Sequence, residues 1–587
     1  MCVQPVAWPE PDPLIAAAIG AKYPGKRPRP LAVLIRDRLG QWLADEDFAA
    51  AFGSRGRPGW SPSRLALVTV LQRAEKLTDR QAAEAVRTRM DWQYLLGLPI
   101  DDPGFDHSIL SEFRGKVADA GLEQVALDAL LARLATDGLI TGGGKQRTDS
   151  THVVAAVAAL NRLELAGESV RAALEALTAA HPAWVEQRIC VPDFARRYGT
   201  PMTSWRSPAS QSQRDELAIA YARDGYALLE AVYDSSSPAW LRELPAVEVL
   251  RRVLLQNYTR TITGGREVIR RREKEPEGDG LPPGHARIAS PYDLDARWGA
   301  KRDTFWLGYK LHATETCDDP PPCTCGPDAA PPATAGGRGH ARGCAQLVFP
   351  NLITHVATTD ATVTDNQMTD AIHGGLAERN LAPGRHYLDS GYLSAALVVS
   401  ARRTRGVALI GPLLADTSAQ ARAGHGYARA HFTADYDRQI LTCPQGKTSA
   451  SWTPCTQHGR GAIVATFSPG DCGPCPARSL CTTGKRRQVT VLPRDLAQAQ
   501  AAARAAETTT DFQADYARRA GVEGTMHQAA SHGARRARYR GLPKTRLDHI
   551  YMACALNLLR LEAFWTGTPL DRQRTSHLAR LELGLAA

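Results

Sequence analysis

Apolar residues recur at three- and four-residue steps through most of positions 31 to 135, then give way to short alternating runs near 145, 304, 352 and 385. The chain therefore predicts a helical N-terminal part followed by a strand-bearing core. Ser61-Pro62 supplies an N-cap with proline at the first helical position, ahead of Leu65, Leu67, Val68, Val70 and Leu71. Thr78 and Gln81 form a capping-box pattern that opens a second helix, and a third follows Phe105-Asp-His-Ser108. Strands are expected at Lys145–Asp149, Thr304–Thr314, Leu352–Thr359, Arg385–Asp389 and Val407–Ile410, with a helix from Met368 to Leu376. Between the first two strands, residues 155–275 carry helical periodicity as far as about Arg272. The turn-rich segment Glu275–Gly284 then returns the chain to the core.

Length and composition narrow the class. With 587 residues, three to four cores of about 150 residues each are expected. Charged residues make up 22% and hydrophobic ones 43%, a globular balance, and no apolar run reaches the roughly 18 residues needed to span a bilayer. No export signal is readable at the N-terminus, so cytoplasmic, nucleoid-associated residence with no membrane partner is expected. The net charge of +10 favours a polyanionic partner. Its distribution adds weight: Arg535, Arg536, Arg538, Arg540, Lys544 and Arg546 fall within fourteen residues that contain no acid. Arg80, Arg87, Arg89, Arg114 and Lys116 are spread over the N-terminal helices, as in a helix-turn-helix-like DNA reader.

Three acids stand in contexts that suit a shared metal site. Asp149 lies in Thr-Asp-Ser-Thr-His and Asp389 in Leu-Asp-Ser-Gly-Tyr, each expected to end a strand. Glu523 closes Tyr516-x2-Arg519-x3-Glu523, and steps of three and four residues put these side chains on one face if the segment is a single helix. This pattern resembles the signature of bacterial insertion-sequence DDE transposases, in the lineage marked by Tyr-Arg-Glu-Lys, and the resemblance runs from about residue 30 to 561. It implies an α/β fold: an RNase H-like mixed-sheet catalytic core, interrupted by a helical insertion and a Cys-containing insertion, behind an N-terminal helical DNA-binding domain. It also implies that Asp149, Asp389 and Glu523 bind two Mg2+ or Mn2+ ions and that Tyr516 and Arg519 contact DNA. The lysine expected seven positions after the glutamate is Ala530 here.

Nine of the twelve cysteines cluster, which in a reducing compartment points to metal rather than disulfides. Cys443, Cys455, Cys472, Cys475 and Cys481 include a Cys-x2-Cys pair among turn residues and are expected to hold a structural Zn2+, with the spare ligand left open. Cys317, Cys323, Cys325 and Cys344, with His340, lie in a Pro, Gly and Ala-rich loop, where a second zinc is the weaker expectation.

The expected organisation is a helical domain over 1–135 and a catalytic domain over 140–561 with insertions at 155–275 and 415–490. A tail follows over 562–587. The expected function is DNA transposition: binding of transposon ends, metal-dependent strand cleavage and transfer to target DNA, by a homodimer assembled on the ends. A nuclease on the same fold and an inactive DNA-binding descendant are the alternatives.

Overall fold

A computed structural model describes residues 8–567 except 26, 54–58, 203–207, 209, 265, 274–279, 302, 320–349 and 458. Its centre is a mixed sheet of β1 (Lys145–Val154), β4 (Arg297–Lys301), β5 (Thr304–Thr316), β6 (Ile353–Asp360), β7 (Arg385–Tyr387) and β8 (Ala408–Ile410). The intervening hairpin consists of β2 (Tyr258–Thr263) and β3 (Arg266–Arg271). Strand β5 runs antiparallel to β1 along one edge and to β4 and β6 along the other, whereas β7 pairs parallel with both β1 and β8. Gly308 is obligatory at the crossing of β5 and β1, because a Cβ there would stand 2.1 Å from the Val153 carbonyl oxygen.

The expected start signals cap real helices. Ser61 caps Pro62–Ala74, and Thr78 and Gln81 form the capping box of Asp79–Thr88. These helices share one hydrophobic core with the sheet and with the long helix Leu542–Thr566, whose Leu547, Ile550 and Leu558 are buried. Buried Arg73 pairs with buried Asp548 at 2.6 Å across this packing, so the helices over 31–136 and the core are joined by more than a linker.

Two expectations change. The helical insertion has its own core around Val170, Leu177, Tyr221 and Leu250, but it ends in the β2–β3 hairpin rather than in helix. Tyr258-Thr-Arg-Thr-Ile-Thr263 is β-branched at alternate positions and Gly264 turns with φ +59°, a period-two signal that outweighs the helical pattern before it. The segment bearing Glu523 is also not one helix. Thr510–Tyr516 and Gly521–Ser531 are α-helical, joined by a 3-10 turn at Ala517–Ala520.

The segment between β8 and the Glu523 helix forms β9 (Thr433–Asp435), β10 (Ile440–Thr442) and a three-stranded sheet of β11 (Ser451–Gln457), β12 (Arg460–Thr466) and β13 (Gln488–Val491). It packs on a small core of Phe432, Leu441, Ile463, Phe467 and Val489. Among the described residues, no helix is long and apolar enough to cross a membrane.

Candidate active site

Asp149 stands in the middle of β1, not at its end as expected, opposite Ala313 of β5. The residues that follow it stay extended because β5 runs on beside them as far as Gly308. Asp389 lies two residues beyond β7, in a tight turn where its Oδ1 accepts from the Gly391 amide at 2.9 Å. Glu523 is in the first turn of the helix Gly521–Ser531.

The three acids meet at one side chain, Arg519. Its guanidinium lies 3.1 Å from Asp149 Oδ1, 3.9 Å from Asp389 Oδ2 and 3.0 Å from Glu523 Oε1. The broken helix explains why Arg519 and Glu523 still face together, since the 3-10 turn ends at Ala520 and the pair keeps an i, i+4 spacing. Burial pushes the Asp149 carboxyl above the usual range, opposed by the Arg519 charge. Burial likewise raises the Tyr516 phenol, which stacks on Phe512 at 5.7 Å and feels the Arg519 charge.

A buried network that sequence patterns did not reveal holds this arrangement. Glu315 on β5 accepts from Arg147 Nε at 2.7 Å, from an Arg560 amine nitrogen at 2.8 Å and from the Thr525 hydroxyl. Arg147 also donates to the Arg518 carbonyl at 2.6 Å, tying the 3-10 turn to β1. A Cβ at Gly521 would stand 2.0 Å from an Arg147 guanidinium nitrogen, so a side chain there would displace Arg147 from these contacts. Strand alternation could have flagged Arg147, two residues from Asp149 on the same strand face, but nothing in the sequence announces its partner 168 positions away. Tyr392, fully buried behind the acids, meets His312 Nδ1 through its hydroxyl at 2.6 Å.

The basic run 535–546 divides instead of forming one surface. Arg535 donates to Thr151 Oγ1 at 3.2 Å, beside the acids. Arg536 sits where the chain bridges to Val154. Arg538 turns to the Leu77 carbonyl, Arg540 lies over the Tyr292 ring, Arg546 is 3.8 Å from Glu123, and Lys544 is exposed near Gly115. In the N-terminal helices Arg114 is buried against Asp79 at 2.5 Å, and Arg89 is held by Glu75 and Asp91, so neither is presented to a DNA groove. Lys116 lies over Phe52 and Arg87 faces Glu84, while Arg80 is exposed.

Residues 442–562 match a family model described as Transposase DDE domain, and residues 21–116 match one described as Transposase domain (DUF772). Both matches are to transposase domains, and together they support an insertion-sequence DDE transposase. The first match contains Tyr516, Arg519, Glu523 and the whole basic run, while Asp149 and Asp389 lie upstream of it. A DDE domain implies an RNase H-like fold, and the chain's own sheet is mixed, with antiparallel β6, β5 and β1 flanked by parallel β7 and β8. No curated protein and no solved structure matches the chain.

Of the five cysteines expected at a zinc site, Cys443, Cys472, Cys475 and Cys481 ring one cavity of about 30 Å3, and each is half-buried. Cys455 stands apart on β11, opposite Ala462. Of the other group, Cys317 is buried, its thiol pushed up to about 12 by that burial. Cys323, Cys325, His340 and Cys344 lie outside the described residues. Among the described residues, no three His, Cys, Asp or Glu side chains are already arranged around a metal position.

Proposed function

We propose that the chain binds the ends of a mobile DNA element, cuts the DNA there and joins the freed 3′ end to a target, with Asp149, Asp389 and Glu523 as the catalytic acids. The observation that carries this reading is the convergence of three carboxylates, from a mid-sheet strand, a strand-end turn and a helix, on one guanidinium. Three carboxylates against one arginine leave two negative charges in excess where Asp149 is already partly desolvated. Such a set of hard oxygen donors fits Mg2+ or Mn2+. Ions held there would supply Lewis-acid charge to the scissile phosphate and lower the pKa of the attacking water or 3′-hydroxyl.

Arg519 stands where that charge is needed, and its guanidinium partly neutralises the acids. We infer that it withdraws when DNA enters, because a phosphate offers its fork a bidentate partner, whereas each acid engages it through a single oxygen. Tyr516, beside it, is positioned to touch the same strand. The exposed cations Arg535, Arg536, Arg538, Arg540 and Lys544, with half-buried Arg546, offer backbone contacts that fix register without reading sequence. Pairing of two ends calls for two copies of the chain, so the working form is a homodimer on DNA.

The four thiols around the small cavity fit a structural Zn2+, which would draw them inward and fix the β9–β13 segment against its few apolar residues. Cys455 is then the spare.

The test of function is a DNA cleavage and joining assay. The substrate is a duplex carrying the flanks of the encoding gene, with a supercoiled plasmid as target. Nicks at the element's ends and joined products that need Mg2+ or Mn2+ support the reading. Cleavage without joining would convert it to a nuclease, and no cleavage with any flank would overturn it.

A further inference from the structure

Beside the acid cluster lies a cleft of about 390 Å3 with an unusual balance of charge. One wall is Ser150, Thr151 and His152, the three residues after Asp149, and Gly391 brings it to within two residues of Asp389. Three cations line it: Lys301 from the β4–β5 hairpin, Lys310 from β5 and Arg535 from the turn after the Glu523 helix. Asp365 is the only acid in the lining, and Lys310 is committed to it at 3.6 Å and to the Val363 carbonyl at 2.7 Å. The other two cations are less committed. Lys301 is exposed and makes no hydrogen bond or ion pair among the described residues. Arg535 has one side-chain contact, through Nε to Thr151, which leaves its terminal nitrogens free to pair elsewhere.

Both cations act on the same spot. Burial holds the His152 imidazole below its usual range, and the charges of Arg535 and Lys301 push it the same way. The backbone fixes Arg535 in this position. Val154 donates to the Arg535 carbonyl at 2.8 Å and Ala537 donates back to Val154 at 2.8 Å, so the turn is stitched to the end of β1.

We propose that this cleft seats a backbone phosphate of the DNA strand adjoining the scissile bond, with Lys301 and Arg535 together as its cations. The proposal rests on the DNA-cleaving reading above and adds to it a particular strand path across β1. Lys301, at the end of β4, contributes a point charge on a flexible side-chain stem, and Arg535 contributes a fork held at a fixed place. Neither residue is part of the acid cluster, so their removal leaves the cleaving groups in place.

The experiment is fluorescence anisotropy with a labelled duplex taken from the gene's flanks, in Ca2+, over a salt series. The double variant Lys301→Ala with Arg535→Ala should reduce the magnitude of the slope of log affinity against log salt by about one, the value for one lost phosphate contact, and each single variant by part of that. Arg535→Lys, which keeps the charge, should recover most of the slope. Arg251→Ala, in the helical insertion, removes the same charge and should leave the slope as in the wild type. An unchanged slope in the double variant, with wild-type binding intact, overturns the cleft. A wild-type chain that does not bind the duplex at all overturns the DNA-cleaving reading first, so the two failures are told apart by the wild type alone.

Discussion

Two clusters of arginine and carboxylate sit side by side on β1 and β5, centred two residues apart along β1, and are served by the same short helix. Around Glu315, two arginines and a threonine hydroxyl surround one carboxylate, its side chain 1% exposed. Around Arg519, three carboxylates surround one arginine, and Glu523 is 64% exposed. The first has its charge satisfied with an excess of cation and is dry. The second has an excess of anion and opens to solvent. The same residue types thus make a fastening in one place and a cation-seeking site in the other, and ratio and exposure decide which.

Breaking the two clusters should fail in different ways. Asp149→Asn, Asp389→Asn or Glu523→Gln should each reduce strand cleavage by about a thousandfold or more, the equivalent of several kcal/mol of transition-state stabilisation, while a gel shift with the same DNA stays near wild type. Near-normal cleavage by any of the three would remove that residue from the site.

Glu315→Ala should instead cost about 3–5 kcal/mol of stability, because Arg147 and Arg560 are left buried without their anion. Urea unfolding measures this. A loss no larger than that of a surface substitution would show that the network is not the fastening described.

Arg519→Gln sharpens the contrast from the other side. In the absence of DNA it should bind Mn2+ about tenfold more tightly than the wild type, as read by calorimetry, because the competing guanidinium is gone. Equal or weaker binding would mean that Arg519 helps the acids hold metal.

The smallest effect concerns the remote cysteine segment. Purified protein should carry one zinc, and Cys472→Ser with Cys475→Ser should release it and loosen residues 440–485 to hydrogen exchange, leaving the acid cluster unaffected. Zinc-free wild type with the same exchange pattern would return these thiols to ordinary packing.

Much of this contrast was legible in the sequence, but unevenly. The acids, Arg519 and Tyr516 carry local motifs, and the strands around them show alternation that survives folding. Capping signals at Ser61 and Thr78 acted as local chemistry predicts. What stayed hidden depends on distant pairing. Glu315 looks like any strand glutamate until Arg147 and Arg560 arrive from either side, and Lys301 gains meaning only when the β4–β5 hairpin folds beside β1. The spread of the basic run was hidden too: six cations adjacent in sequence point to several different parts of the fold, because the turn after Ser531 and the start of the long helix change direction within a few residues. The helical reading of Tyr258–Arg271 failed for a local reason, a switch from a period near 3.6 to a period of two that a long helical context obscured.

The central claim, that Asp149, Asp389 and Glu523 form one metal site once DNA displaces Arg519, is tested most directly by loading the DNA-bound protein with Fe2+ and generating hydroxyl radicals from it. Backbone cuts mapped by mass spectrometry should cluster beside residues 149, 389 and 523, should need DNA, and should be competed away by Mg2+. Cuts at only one of the three positions, or the same cuts without DNA, would contradict the account.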